Sequence, residues 1–282
     1  MRWCPKWVVA AACAAASLIL PAFAAPPAHR IVSTFLCTDE YVFRLVPRER
    51  IAALSYEAVD RKPVVSTIAD AAAGMPVIRP SSETVLKLKP DLVVMYAGTN
   101  PRLHLSLQRL SVPVLDVPWA NSLADVRQVT KMLGEKLGAS ERAAALLADM
   151  DRKIAAVRGP EPPVRTILYE PQGYATVQGV TEEIMRIAGL VNAAPPSQLT
   201  RSGQLPVEAV IAAAPELLIL GGEERSGNAR AYAILHHPAF KALHGKTHME
   251  FAGLTPLLCP GPWSLDSAAP LAELGRKARG HR

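Results

Sequence analysis

The side chains of this sequence best suited to holding a ligand are aromatic, and they follow short apolar runs. Outside the first 24 residues the chain has two tryptophans, Trp119 and Trp263, one in each half. Three tyrosines, Tyr56, Tyr96 and Tyr174, are placed in the same way. Aromatic walls bury much apolar area with little loss of side-chain entropy, and they suit large flat molecules. The pattern therefore indicates ligand binding.

Polar residues in the same loops are further candidates for ligand contact. Cys37 and Thr38 follow an apolar run, and Arg225 follows another after a Gly-Gly pair at 221–222. The Arg225 guanidinium could pair with an anionic group of a ligand, or it could be an ordinary surface arginine. The two glycines would permit either a close backbone approach or a tight turn.

The first 24 residues have the pattern of an export signal. Arg2 and Lys6 flank the start, residues 7–20 are apolar, and a small-x-small motif ends at Ala24. The run is too short to span a bilayer, which takes about 20 residues. Cys13 raises a lipoprotein alternative, but no large aliphatic residue precedes it at the usual distance. We expect cleavage near Ala24 and export of the mature chain.

Export bears on the two cysteines that remain, Cys37 and Cys259. An oxidising compartment favours a disulfide between them. Contact with the ligand and persistence as buried thiols are the alternatives, and the sequence does not choose among them.

The elements that position these residues are those of an α/β protein. Continuous apolar runs are typical of parallel strands that are covered on both faces. Such runs occur at 31–33, 51–54, 92–96, 114–117, 166–169 and 217–220, with a weaker one at 249–251. Helical sequence separates them, which predicts layers of helices on parallel sheets.

An internal repeat divides the chain into two similar halves. Residues 82–95 align without a gap with residues 207–220, at an offset of 125. In both copies a short helix with an early glutamate, Glu83 or Glu208, ends before a proline, and an apolar strand follows. Proline ends a helix because it has no N–H and disfavours helix at the residue before it.

Helical sequence connects the two halves. Ser122 is expected to cap one helix that ends at Gly138, and Ser140 a second that ends before Gly159. The second, at about 1.5 Å per residue, is ~28 Å long and could bridge two lobes. The predicted divisions are a signal at 1–24, a first lobe at 25–120, connecting helices at 121–160 and a second lobe at 161–282.

Four segments together resemble the periplasmic binding proteins of ABC importers for cobalamin and iron-siderophores. They are residues 30–40, the repeat segment 82–94, its second copy at 205–219, and Cys-Pro-Gly-Pro-Trp at 259–263. The resemblance implies two Rossmann-like lobes, a long rigid connecting helix and a ligand cleft between the lobes. It also implies a monomer that carries a small molecule to a permease dimer in the inner membrane. Pro260 departs from the expected Cys-Gly-Gly-Pro and stiffens that loop.

The resemblance further implies a docking role for Glu83 and Glu208. In the resembled family an acidic residue at this place in each lobe meets arginines of the permease dimer. Two matched carboxylates suit a partner with twofold symmetry. A glutamate in the first turn of a helix also complements the helix dipole, which is the ordinary explanation.

Other classes of protein are less well supported by the sequence. The net charge is +6, but no basic run with interleaved aromatics indicates nucleic-acid binding. A zinc or manganese carrier would need converging ligands, and the histidines cluster only in the second half, at 236–248. An exported α/β enzyme is a weaker alternative because no nucleophile elbow, P-loop or dinucleotide motif occurs. We therefore expect no catalytic residue, no metal site and no resident cofactor. The resemblance, together with the aromatic loops, implies that the transported ligand, or cargo, is an iron-siderophore, a corrinoid or haem.

Overall fold

Two separate parallel β-sheets form the framework of the protein. The computed structural model describes residues 28–61, 65–222 and 230–280, so the proposed signal at 1–24 and Arg225 lie outside the described residues. The first sheet has the order β3-β2-β1-β4-β5 and the second β7-β6-β8-β9, and every pairing is parallel. The strands are β1 Ile31–Ser33, β2 Ile51–Ser55, β3 Val77–Ile78, β4 Leu92–Tyr96, β5 Val114–Val117, β6 Val164–Tyr169, β7 Leu190–Asn192, β8 Leu217–Gly221 and β9 His248–Ala252.

Helices cover both sheets, which confirms the α/β fold class with two lobes. None of the helices in the described parts of the chain is long and apolar enough to cross a membrane. They are α1 Leu36–Leu45, α2 Ser82–Lys87, α3 Pro101–Arg109, α4 Leu123–Lys136, α5 Ser140–Ala156, α6 Val180–Ile187, α7 Val207–Ala213, α8 Thr255–Leu258 and α9 Ala268–Gly280.

The segment between the sheets consists of two helices packed on each other. Ser122 caps α4 as expected, and its hydroxyl accepts a hydrogen bond from the Asp125 amide at 3.0 Å. Ser140 does not cap α5: the capping position is Ala139, which makes no side-chain cap. The helices approach closely at Gly134, where a Cβ atom would lie 2.5 Å from the Cβ of Ala143. The connection is therefore a helical hairpin, with α5 leading to β6.

The internal repeat is a structural repeat. In both copies the helix ends, the residue before the proline takes a left-handed conformation, and a strand follows. That residue is Lys89 (φ 48°) in the first copy and Ala214 (φ 41°) in the second. Because proline disfavours the right-handed helical region at the residue before it, the same proline produces the same turn twice.

An arginine and an acidic residue close each of these turns. The side chain of Asp91 accepts hydrogen bonds from the backbone N–H groups of His29 and Arg30, and that of Glu216 accepts one from the backbone N–H of Arg165 at 2.9 Å. The Arg30 guanidinium donates to the Leu88 carbonyl at the end of α2, and the Arg165 guanidinium donates to the Ala213 carbonyl at the end of α7. Each lobe thus fastens its helix to its central strand by the same contacts.

A covalent joint connects α1 of the first lobe to residues 259–263 of the second. Cys37 and Cys259 form a disulfide with their Cα atoms 5.0 Å apart. Beside it the Trp263 ring packs edge-on against Tyr41, with centroids 4.7 Å apart, and under the Arg44 guanidinium at 4.4 Å. These contacts restrict how the two lobes can move relative to each other.

Gly261 and Pro260 contribute to the packing of this joint and are not part of an open loop. The Trp263 ring lies so close to Gly261 that a Cβ atom there would be 2.3 Å from it. The Pro260 carbonyl accepts a hydrogen bond from the Tyr41 hydroxyl at 3.3 Å. The stiff Cys-Pro-Gly-Pro sequence therefore serves the packing between lobes.

A buried carboxyl lies next to the joint, at the start of α1. Asp39 is fully buried and accepts hydrogen bonds from the backbone N–H and the hydroxyl of Ser55. Burial raises the pKa of Asp39 to about 7, although hydrogen bonds from Ser33 and Ser55 oppose the rise. The folded protein therefore holds this proton at a pH where the unfolded chain has lost it.

We expect the contribution of Asp39 to the free energy of unfolding to fall as pH rises from about 4 to about 7. A carboxyl whose pKa is higher in the folded protein stabilises fully below its unfolded pKa, and the contribution is lost as pH rises through the folded value. Asp39→Asn should flatten this dependence in urea unfolding, while Asp70→Asn, at an exposed surface pair, should retain it. A slope in Asp39→Asn equal to that of the wild type would contradict the assignment.

We expect the disulfide to contribute to stability because it closes a loop of 222 residues. Replacing both cysteines with alanine should lower the free energy of unfolding by about 3 to 5 kcal/mol. Urea unfolding with and without reductant measures this, and reductant should leave the double variant unchanged. Equal midpoints for the oxidised wild type and the double variant would show that the joint does not depend on the bond.

Candidate functional site

The carboxyl ends of the strands in both sheets carry the residues that could bind a ligand. In open parallel sheets, ligands bind outside these ends. The first lobe presents Phe35, Tyr56, Arg79, Tyr96 and Trp119 there, after β1, β2, β3, at the end of β4 and after β5. The second lobe presents Glu170 and Tyr174 after β6, the Gly221–Gly222 pair at β8 and Leu254 after β9.

Three aromatic rings form a cluster at the edge of the first sheet. Trp119 lies against Tyr96 with ring centroids 4.1 Å apart, and Phe35 lies 5.6 Å from Tyr96 and 6.1 Å from Trp119. The indole N–H of Trp119 donates to the Ala97 carbonyl at 3.0 Å, which fixes the ring. Trp119 is 49% exposed whereas Tyr96 is buried. The cluster therefore presents one anchored indole to solvent.

Tyr96 supports this indole and presents no surface of its own. Burial raises the pKa of its hydroxyl to about 12, so it remains a neutral phenol. Phe35, two residues after β1, belongs to the same cluster. The sequence indicated only Cys37 and Thr38 as ligand contacts after this strand.

A cationic group occupies the other end of the same sheet edge. The Arg79 guanidinium lies 3.8 Å above the centroid of the Tyr56 ring, a cation–π geometry that holds the charge in place. Arg79 is exposed and forms no ion pair with any carboxylate among the described residues. The sequence did not indicate Arg79 because β3 has only two residues and was not predicted.

Three other residues predicted to contact a ligand are buried. Cys37 is bonded to Cys259, Trp263 is 3% exposed within the joint, and Thr38 has no exposed surface. The Thr38 hydroxyl lies 2.7 Å from that of Ser33 and donates to the Phe35 carbonyl. Cys37 and Thr38 lie in the first turn of α1, which packs on the first sheet, and the Trp263 ring is enclosed by the joint with α1. Their role in the structure is packing.

Tyr174 and the two glycines lie on the edge of the second sheet. Tyr174 is 37% exposed, and its backbone pairs with Gln204. A Cβ atom on Gly221 would lie 2.7 Å from Leu254, and one on Gly222 would lie 2.8 Å from the Tyr232 ring. The chain's own side chains therefore fill the space at these glycines.

Glu83 and Glu208 occupy equivalent exposed positions in the first turns of α2 and α7. Each helix runs antiparallel to the strand that follows it, so each helix begins on the side of the sheet where the strands end. Within the residues that the structure describes, neither carboxylate forms an ion pair. Both carboxylates are exposed to solvent.

The histidines of the second lobe have partners of other kinds. His236 stacks on Phe251 with centroids 5.2 Å apart, His237 accepts a hydrogen bond from the Ala239 amide, and His248 lies 3.2 Å from Glu250. In the described ranges, no group of three or more histidine, cysteine or acidic residues could hold a metal ion. The zinc or manganese alternative has no ligand set there.

The chain matches a known family over most of its length. The family model described as periplasmic binding protein matches residues 44–245. A comparison with proteins of curated function finds no match.

Solved structures of binding proteins share the fold at low sequence identity. The periplasmic haem-binding protein RhuT from Roseiflexus sp. RS-1 is 22% identical with a TM-score of 0.69, over 89% of this chain and 98% of that one. The periplasmic vitamin B12-binding protein BtuF of Vibrio cholerae is 19% identical with a TM-score of 0.62, over 90% and 98%. An ABC-type Fe3+-hydroxamate transport protein from Saccharomonospora viridis DSM 43017 is 19% identical with a TM-score of 0.63, over 88% and 93%.

The family match and the two-lobed fold agree with the resemblance found in the sequence. Binding proteins of this kind bind small ligands and are not enzymes. The sheet edges described above, which carry aromatic rings and isolated charged side chains, agree with such a role. The chain belongs to the periplasmic binding protein family.

Proposed function

We propose that this protein is a monomeric periplasmic carrier that delivers an iron-siderophore, a corrinoid or haem to an ABC importer. The observation that carries the proposal is the half-exposed Trp119 on its aromatic support at the carboxyl edge of the first sheet. A cleaved signal ending near Ala24 would bring the chain to the periplasm.

The first-lobe edge suits a cargo that has a flat apolar face and an anionic group. Trp119 offers one face of an indole whose other contacts are already made, so stacking on it costs little side-chain entropy. Arg79, at the opposite end of the edge, is held on Tyr56 and has a free guanidinium for a carboxylate or hydroxamate oxygen. The relatives named above bind haem, vitamin B12 and a ferric hydroxamate, all of which are metal chelates.

Docking to the permease is the proposed role of Glu83 and Glu208. The structural repeat places the two carboxylates at matched points of the two lobes, on the side where the strands end. A permease dimer with one arginine cluster on each subunit would meet both at once. The cleft would then open toward the membrane.

We expect Trp119→Ala to weaken cargo binding about 5- to 30-fold, which corresponds to ~1 to 2 kcal/mol of lost aromatic contact. Trp119→Phe should retain most of the affinity. Binding is measured by absorbance titration with hemin, cyanocobalamin and ferrioxamine B. Leu105→Ala, at an exposed position on α3, is the matched control. If the wild type rejects all three probes, the proposal fails; if Trp119→Ala binds like the wild type, the site lies elsewhere.

We expect the double variant Glu83→Lys and Glu208→Lys to abolish uptake while cargo affinity is unchanged. Each single variant should reduce uptake partially, because one lobe still docks. Uptake by cells that carry the cognate permease is compared with affinity of the purified protein. Reversal of Glu135 and Glu141, exposed on α4 and α5, should leave uptake intact. Loss of affinity in the docking variant would contradict a docking role.

A further inference from the structure

Glu170 is the carboxyl group at the centre of the second-lobe edge. It follows the last residue of β6, the strand flanked by β7 and β8. The side chain is partly exposed and lies beside Gly221, where a Cβ atom would be 3.3 Å from its Cγ. Because Gly221 has no side chain, the edge of the sheet leaves room for this carboxyl.

The loop that carries Glu170 is fastened on both sides. The backbone N–H of Glu170 donates to the Tyr174 carbonyl at 2.8 Å, and its carbonyl accepts from Gly173. Gln172, in a left-handed conformation (φ 62°), donates from its backbone to Ala231 at 2.6 Å. The carboxyl is therefore held by a fixed backbone, as a binding group needs to be.

Within the described residues, the carboxyl of Glu170 has one side-chain hydrogen bond. The Thr176 hydroxyl donates to one of its oxygens over 3.3 Å, and the side chain lies beside Gly221, which carries no charge. Among the described residues no basic group pairs with it. Burial raises the pKa of Glu170, and the bond from Thr176 opposes the rise. A carboxylate in this condition gains from any donor brought to it.

In the structural repeat, the position of Glu170 in the second lobe corresponds to that of an apolar residue in the first lobe. Ile31 pairs with Leu92 in the first sheet, and Thr166 pairs with Leu217 in the second. Since Leu92 and Leu217 correspond in the repeat, Ile31 corresponds to Thr166 and Phe35 to Glu170. One lobe therefore presents an aromatic cluster where the other presents a carboxyl.

We propose that Glu170 binds a hydrogen-bond donor or a cationic group of the cargo, such as an amide, amine or ammonium. This inference rests on the proposed function and narrows the cargo. The polar groups on the edge of haem are carboxylates, which repel a carboxylate, whereas a corrin carries amides and many siderophores carry amines or hydroxyls. Corrinoids and donor-bearing siderophores therefore fit both lobes, and haem fits only the first.

The test compares cyanocobalamin, ferrioxamine B and hemin on the wild type, Glu170→Gln, Glu170→Asp and the control Glu135→Gln. A donor-bearing probe should bind the wild type more tightly than hemin. Glu170→Gln should weaken binding of the donor-bearing probe about tenfold or more at pH 7.5, which is the usual loss for a hydrogen bond to a charged group. Glu135→Gln should match the wild type. Affinity of the wild type should fall on acidification, because the cargo competes with the proton on Glu170.

Calorimetry in buffers of different ionisation enthalpy gives a readout on the wild type that does not depend on a variant folding. Binding should release protons at the acidic pH values where Glu170 of the unbound protein is partly protonated, and Glu170→Gln should release fewer. If a donor-bearing probe binds but neither Glu170→Gln nor pH changes its affinity, or if only hemin binds, this inference is overturned and the carrier function stands. If no probe binds the wild type, the carrier function fails and this inference fails with it.

Discussion

The joint between α1 and residues 259–263 is the constraint on which the arrangement of the lobes depends. A disulfide, the buried Trp263 ring and the Arg44 guanidinium above it fix α1 of the first lobe against the second lobe. Two further contacts act in the same direction: Lys153 of α5 pairs with Asp266, and Glu183 of α6 accepts from the backbone N–H of Leu123. One continuous apolar core includes residues of both sheets and of the connecting helices. Large relative motion of the lobes would have to break this core, so we expect cargo binding to involve small adjustments.

The structural repeat gives both lobes the same framework, and the residues at the strand ends make them different. The same proline turn, acidic residue and arginine fasten the helix to the central strand in each half. Beyond that framework, the first lobe offers an indole and a guanidinium while the second offers a carboxyl. The proposed site would therefore have an aromatic and cationic side and an acidic side, which would favour an asymmetric cargo. The proposed docking residues Glu83 and Glu208 keep the symmetry because they lie within the repeat.

Local patterns in the sequence were sufficient to predict the two sheets and the repeat. The strands predicted from apolar runs are all present, and Ser122 caps α4 as expected. Two short strands at the sheet edges, β3 and β7, were not predicted from the sequence. Arg79 was missed with β3. Loop position suggests Thr38 and Trp263 as ligand contacts but does not reveal which way a side chain packs. The sequence likewise does not decide whether Cys37 and Cys259 are bonded, since a bond across 222 residues depends on tertiary structure.

The central claim is that cargo lies between the carboxyl edges of both sheets. Hydrogen exchange of the purified protein, with and without a bound metal chelate, tests it most directly. Loops of both lobes should become protected together. In the first lobe these are the loops that carry Arg79, Ala97 and Trp119, and in the second lobe it is the loop at residues 170–176. Protection in one lobe only, or at the far ends of the sheets, would contradict a site shared between the lobes.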